Sequence, residues 1–242
     1  MTKRDLYNNY FTSYFSKAHP TNKLRDDFEH YAKYFRANYA KYLPKDRGVR
    51  IVDLGCGLGH FLYFLKKSGY KNSSGVDISK EEIAICRRFG FRVECADILQ
   101  FLRKHKNSFD VIILNDVIEH FTNDDVMELL KLAREVLRPK GIFLIKTVNA
   151  ANPALGSSNR YIDFTHETCF TEESLRQACL LADFSQVMIS KLNIYVYPKN
   201  PLNYPARLFA SVLHRIWRTN FYLHGRKTTH IFTKDMLAIC QK

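Results

Sequence analysis

Arg50-Ile51-Val52-Asp53-Leu54-Gly55-Cys56-Gly57-Leu58-Gly59-His60-Phe61 is the stretch that decides the fold. Apolar, β-prone positions run into an acid, then into glycines at 55, 57 and 59, then into an amphipathic run. That order predicts a buried strand, a tight turn and a helix start. Glycine is needed where backbone passes close to a ligand, because any Cβ would collide with it. The helix behind the turn opens on N–H groups with no intrahelical partner. A nucleotide-like ligand suits such a place. The dinucleotide fingerprint G-x-G-x-x-G has a longer spacing than the D-x-G-x-G-x-G seen here. No Lys-Ser/Thr pair follows the glycines, which excludes a P-loop.

Downstream, strands and helices alternate. Ser73–Asp77 reads as a second strand, and Ser79 with Glu82 has the spacing of a capping box. Phe91–Cys95 is a third strand. Phe109–Leu114 is a fourth, with the continuous apolar run of a buried parallel strand. A helix over Thr122–Leu137 leads through a turn at Pro139-Lys140-Gly141 into a fifth strand, Ile142–Val148. A helix over Thr171–Ala182 precedes a sixth strand, Phe184–Ser190; Met236–Cys240 is a seventh, beside it. This alternation predicts an α/β fold: a doubly wound, mostly parallel sheet of seven strands, with ligands at the strands' carboxyl ends. The segment 149–170 is too long for a mere connection, and long loops in compact domains are usually functional.

Upstream, Leu24, Phe28, Tyr31, Phe35, Tyr39 and Tyr42 recur at helical spacing, so Lys23–Leu43 is expected to be a helix ended by Pro44 and Gly48. It either packs on the core or closes over a ligand as a lid. Before it, Tyr7, Tyr10, Phe11, Tyr14 and Phe15 precede a break at His19-Pro20.

The chain has 242 residues, 46% of them hydrophobic, and a net charge of +13. It is long enough for a full core. The positive excess suggests an anionic partner: nucleic acid, membrane surface or phosphorylated substrate. Residues 184–234 contain no Asp or Glu, yet hold Lys or Arg at 191, 199, 207, 215, 218, 226, 227 and 234. Within them Tyr204–Phe221 reads as a helix. Leu208, Phe209, Val212, Leu213, Ile216 and Trp217 form one stripe; Arg207, Ser211, His214, Arg215 and Arg218 form the other face. Such a helix suits an anionic membrane interface through residues 204–227. The alternative is that the stripe packs on its own domain or on a second copy in a homodimer. Cysteines at 56, 86, 95, 169, 179 and 240 form no C-x-x-C pair, as expected in a reducing compartment. No signal peptide or membrane-spanning run is visible, so the expectation is a cytoplasmic chain with peripheral contact at the inner membrane face.

The glycine turn has partners in order. Val76-Asp77 closes the second strand, where an acid can accept from both hydroxyls of a ribose. Ala96-Asp97-Ile98 follows the third, where an acid and an apolar residue suit an adenine. Asn115-Asp116-Val117-Ile118-Glu119-His120 follows the fourth. On VDLGCGLGHF, GVDIS, CADI, FDVIILNDVIEHF and LRPKGIFLIKT, over residues 50–148, the chain resembles the class I S-adenosylmethionine-dependent methyltransferases. The resemblance implies that Gly55, Gly57 and Gly59 face the methionine part of the cofactor, with Cys56 between them. It implies Asp77, followed by Ile78, at the ribose, Asp97 and Ile98 at the adenine, and Asn115 and Asp116 beside the sulfonium. Asp53 is counted with them, chiefly as a residue that shapes the turn. The organisation implied is a single domain: a helical cap over 1–47, a Rossmann-like core over 48–191 and 235–242, and a basic insertion over 192–234.

Arg160-Tyr161-Ile162-Asp163-Phe164-Thr165-His166, with Phe170-Thr171-Glu172-Glu173-Ser174-Leu175, is similar to a branch that acts on sugars of bacterial surface polysaccharides. The segment DVIEH is also similar to quinone-ring O-methyltransferases. The expected reaction is O-methylation of a sugar hydroxyl in a glycan or glycolipid; the alternative is an aromatic or quinone-type small molecule. A hydroxyl reacts once its proton leaves, and a base helps ~10²–10⁴-fold. His166 in the long loop and His120 after the fourth strand are the candidate bases. Asp163 either orients His166 or pairs with Arg160. His120 alternatively caps its segment. A metal would need Asp116, Glu119 and His120 to converge; adjacent residues of a helix point apart, so none is expected. A nucleic-acid methyltransferase is disfavoured, since no N/D-P-P-Y/F motif and no appended RNA-binding module occurs. A non-catalytic binding protein on this fold would not need the intact glycines and acids.

Overall fold

The strand that carries Asp53 is Arg50–Leu54 (β1), and in a computed structural model it lies inside a seven-stranded sheet. The structure describes residues 24–197 and 199–242. The aromatic segment Tyr7–Phe15 and the break at His19-Pro20 lie outside the described residues. The elements are α1 (Leu24–Tyr39), β1, α2 (His60–Lys67), β2 (Asn72–Asp77), α3 (Lys80–Arg88), β3 (Val93–Cys95), α4 (Ile98–Arg103) and β4 (Phe109–Asn115). A 3-10 turn (Ile118–His120), α5 (Asn123–Val136), β5 (Leu137–Val148), α6 (Gly156–Tyr161), α7 (Glu172–Leu181), β6 (Gln186–Lys191), α8 (Asn203–Leu223) and β7 (Asp235–Gln241) follow. The sheet order is β3-β2-β1-β4-β5-β7-β6. β1 pairs in parallel with β2 and β4, and β6 runs antiparallel to β7. The expected α/β architecture is therefore the observed one.

Differences from the expected boundaries have local causes. α1 stops at Tyr39 and the chain turns there, with the Tyr42 N–H donating to the Tyr39 carbonyl. β5 begins at Leu137 and includes the expected Pro139–Gly141 turn, where Lys140 takes a φ of 64°. α4 and α6 were not expected; both are short, and α6 lies inside the long segment 149–170.

The chain divides into two compact units, one of Met1–Leu114 with Glu135–Ile142, the other of Asn115–Arg134 with Phe143–Lys242. In the first, Ile51–Leu54 and Val111–Leu114 are buried side by side. The α1 stripe of Leu24, Phe28, Ala32, Phe35 and Tyr39 is buried too. Phe35 meets Phe61 edge-on at 4.8 Å, and Phe28 stacks on Tyr63 at 5.1 Å. Each such ring contributes about 1.5–3 kcal/mol by leaving water. Glu29 adds hydrogen bonds to the Tyr63 hydroxyl and Lys67. That face of α1 is core.

In the second unit, β6 and β7 pair from Gln186↔Gln241 to Lys191↔Met236. Thr171 and Ser174 cap α7 reciprocally, as the expected N-terminus there requires. Asparagine side chains order the long segment. Asn149 donates to the carbonyls of Ile231 and Thr233, Asn152 to that of Phe232, and Asn159 to that of Lys234. α8 turns His214, Trp217 and Phe221 toward Phe232. The expected single apolar stripe is thus divided: Trp217 packs inward, while Leu208, Phe209, Val212 and Ile216 are exposed. No helix among the described residues is long and apolar enough to cross a membrane.

Candidate active site

The glycine turn owes its spacing to backbone conformation as well as to close approach. Gly55, Gly57 and Gly59 have φ values of 71°, 50° and 85°, a region L side chains rarely adopt. At Gly59 a Cβ would also lie 2.9 Å from the Phe91 ring. At Gly57 it would meet only the Glu82 carboxyl, at 3.5 Å, so that face is bare. The turn is tied to β2: the N–H groups of Gly55 and Cys56 both donate to the Val76 carbonyl.

Asp77 braces the same turn. Its Oδ2 accepts from the Gly57 N–H at 2.9 Å and its Oδ1 from the Ser79 N–H at 2.8 Å. Each oxygen retains a second lone pair for a ribose hydroxyl. Burial raises the Asp77 carboxyl above its ordinary value, and those backbone donors oppose it. Asp53 is buried, with Oδ1 lacking a hydrogen-bond partner among the described residues. Burial first, then the charge of Asp77, holds its carboxyl well above the usual range. Burial and then Asp77 likewise push Glu82 up to about 8. S-adenosylmethionine fits this cradle: it carries a sulfonium, an ammonium and ribose hydroxyls, and the cradle has buried carboxyls, an unpartnered acceptor and bare backbone at Gly57.

Three expected cofactor residues have other duties here. The Cys56 side chain packs with Leu62 and Ile83 in the core, so only its backbone can face a ligand. Asp97 is the N-cap of α4, accepting from the Gln100 N–H at 2.9 Å; that leaves its other oxygen for an adenine amino group. Ile98 is buried in the first turn of α4. Ile78, next to Asp77, is half-buried.

The buried glutamates set a pH dependence. Glu82 in this cradle and Glu119 in the second unit each stand at about 8 against 4.5 unfolded. The native state holds these protons longer than the unfolded chain. Their stabilisation is complete below about pH 4.5 and is lost as pH rises through about 8. The neutralised His120 acts oppositely, but only below 6.5. Folding stability, followed by thermal unfolding, is therefore expected to fall from pH 6.5 to 8, by up to ~1.4 kcal/mol per pH unit per group. Glu82→Gln is expected to flatten that slope; an unchanged slope would refute the assignment.

In the second unit, Asn115 ends β4 and Asp116 takes a φ of 55°. Asp116 is paired with Lys146 at 2.5 Å, so its charge is met within the protein. Glu119 is buried, accepts from the Thr147 hydroxyl at 3.0 Å, and its carbonyl receives the N–H groups of Glu167 and Thr168. These bonds stitch the long segment onto the 3-10 turn. Burial, ahead of the Asp116 charge, raises Glu119.

That stitching brings the candidate bases together. A ring nitrogen of His120, one of His166 and a carboxylate oxygen of Asp163 lie within 4.8 Å of one another. The imidazoles meet edge to face at 4.8 Å. The hydrogen bonds assign the protons. His166 Nδ1 lies 2.9 Å from the Asn159 carbonyl, which only accepts, so Nδ1 carries the hydrogen. Thr165 gives its hydroxyl hydrogen to Asp163 at 2.7 Å, so it accepts from His120 Nδ1 at 2.8 Å. The other ring nitrogen of each is Nε2. Burial lowers the His120 pKa, His166 lowers it further, and Asp163 opposes. Arg160 donates to the carbonyls of His166 and Glu167. Asp163 thus reaches His120 through Thr165, and its carbonyl accepts from the His166 N–H at 3.3 Å. Thr165, Asn159 and Lys146 were missed because nothing marks a threonine, asparagine or lysine as a partner before the chain is folded. At the edge of the segment Tyr161 and Phe164 are 80% and 93% exposed.

The profile of the methyltransferase-domain family matches residues 28–188. A ubiquinone biosynthesis O-methyltransferase of Chelativorans is 28% identical over 138 residues, 51% of this chain and 52% of its own length. One from Sinorhizobium medicae is 29% identical over 150 residues, covering 57% of each chain. The chain thus spans little more than half the length of these curated relatives. A methyltransferase structure from Archaeoglobus fulgidus superposes with a TM-score of 0.61 at 20% identity, over 100% of both chains. The family match spans the glycine turn, the acids that follow it and the histidine segment together, and the chain belongs to the methyltransferase-domain family.

Proposed function

We propose that the protein methylates a ring hydroxyl of a quinone-type, lipid-borne acceptor at an anionic membrane surface. The observation that carries this reading is the segment holding His166: beside a buried polar cluster it exposes Tyr161, Ile162 and Phe164, an edge suited to an apolar acceptor. The likeness to ubiquinone biosynthesis O-methyltransferases supports it over the sugar hydroxyl suggested by Arg160–His166. α8 supports the membrane part. Leu208, Phe209, Val212 and Ile216 are exposed, with Arg207, Arg215 and Arg218 on the same helix.

S-adenosylmethionine supplies a methyl group on a sulfonium that is already a good leaving group, so positioning carries much of the rate. Asp77 and the glycine turn hold its ribose and methionine ends, and Asp97 with Ile98 its adenine. Asp53 and Glu82 provide the acidic surroundings. The His120–Asp163–His166 cluster promotes loss of the proton from the acceptor hydroxyl, and Asp163 steadies His120 through Thr165.

The test offers the purified protein a prenylated catechol and a methyl hexoside, each with phosphatidylglycerol or phosphatidylcholine vesicles. Methylation of the catechol, faster on phosphatidylglycerol, is expected. Methylation of the hexoside instead would overturn the acceptor, and equal rates on both lipids would overturn the membrane contact. Absence of S-adenosylmethionine binding in calorimetry would overturn the whole reading.

A further inference from the structure

We propose that His120, His166 and Asp163 bind a divalent transition-metal ion of the zinc class. The inference deepens the reading of this cluster as the place where the acceptor loses its proton, and rests on it. Three donor atoms from two separate segments converge within 4.8 Å. His166 and Asp163 are nearly fully buried.

The outer contacts have the pattern of metal ligands. Ligating histidines almost always donate their second ring N–H to a carbonyl, carboxylate or hydroxyl relay, which fixes the ring and its tautomer. His166 donates to the Asn159 carbonyl, and His120 donates to Thr165, which is itself bonded to Asp163. Arg160, held on the carbonyls of His166 and Glu167, fixes the backbone of the same turn. Ligand atoms around tetrahedral zinc stand ~3.4 Å apart at bond lengths near 2.1 Å. The widest separation here is 4.8 Å, so the donors must draw in by about 1.4 Å.

The donor set selects the ion. Two imidazoles with one carboxylate suit zinc, cobalt or ferrous iron, whereas magnesium and calcium take oxygen ligands. Three protein ligands leave a coordination position open, the arrangement of catalytic rather than structural zinc. A hydroxyl bound there becomes a stronger acid: its proton goes to solvent while the ion holds the oxygen's new charge. Glu119 is engaged with Thr147, and Asp116 with Lys146, so neither is part of the set.

Cobalt(II) titrated into chelator-treated full-length protein, without cofactor or acceptor, tests the site. The expected result is one-to-one binding with the visible absorption of a low-coordinate cobalt ion. Asp163→Asn and His166→Ala should abolish that spectrum. Thr165→Val keeps all three ligands and should weaken binding ~10–100-fold. Absence of the spectrum, or equal affinity in wild type, Thr165→Val and His166→Ala, would overturn the site. Full catechol methylation by metal-free protein would overturn the ion's part in the reaction. S-adenosylmethionine binding by the metal-free protein, measured in calorimetry, separately reports whether the methyltransferase reading has failed.

Discussion

Asp77→Ala is expected to weaken S-adenosylmethionine binding at least ~10-fold and to lower the thermal midpoint. Two losses combine. The ribose hydroxyls lose their acceptor, worth ~1–3 kcal/mol for a hydrogen bond to a charged group. The N–H groups of Gly57 and Ser79, held at 2.9 and 2.8 Å by this carboxylate, lose theirs as well. Leaving a buried donor unmade costs ~1–3 kcal/mol. The turn at Gly57 then relaxes, and the cofactor must reorder it on binding. Asp77→Asn keeps one acceptor oxygen and should lie between wild type and alanine. Calorimetry with the purified protein reads the affinity. Unchanged affinity in Asp77→Ala would show that the carboxyl end of β2 does not hold the ribose.

His166→Ala is expected to lower turnover ~10²–10⁴-fold, the range of a lost proton-transfer group. Cofactor affinity should persist, because the glycine turn, Asp53, Asp77 and Glu82 all belong to the other unit. His166 is buried, and its Nδ1 is fixed by the Asn159 carbonyl. The ring is thus held in one tautomer rather than free to rotate. The comparison that matters is turnover against binding in the same preparation. A fall in both together would indicate collapse of the 149–170 segment, and full activity would remove His166 from the reaction.

Much of the cradle was legible before folding. Alternate glycines, an acid at the end of each early strand and a continuous apolar run in β4 are local patterns. Local patterns survive in a sequence because strand, turn and helix geometry are set by near neighbours. Even there the reasons were partial. All three glycines adopt positive φ, Asp77 holds the turn as well as offering itself to a ribose, and Asp97 caps a helix the periodicity was too short to reveal. Cys56 was counted with the cofactor residues for its place between glycines, yet its side chain faces the core.

The acceptor side was less legible. His120 and His166 were singled out as separate candidates, and only folding brings them together, 4.8 Å between ring centres. Thr165, which links His120 to Asp163, has no signature of its own. On α8 the helical period was visible, but which part of the apolar stripe is covered depends on Phe232, distant in sequence. The sequence by itself determined the order of strands, the glycine turn and the family, because those rest on short-range backbone preferences and on burial of apolar runs. Only the tertiary structure decided which nitrogens carry protons, which carboxylates are already engaged, and that two histidines and an aspartate share one buried place, because those depend on contacts between residues far apart in the chain.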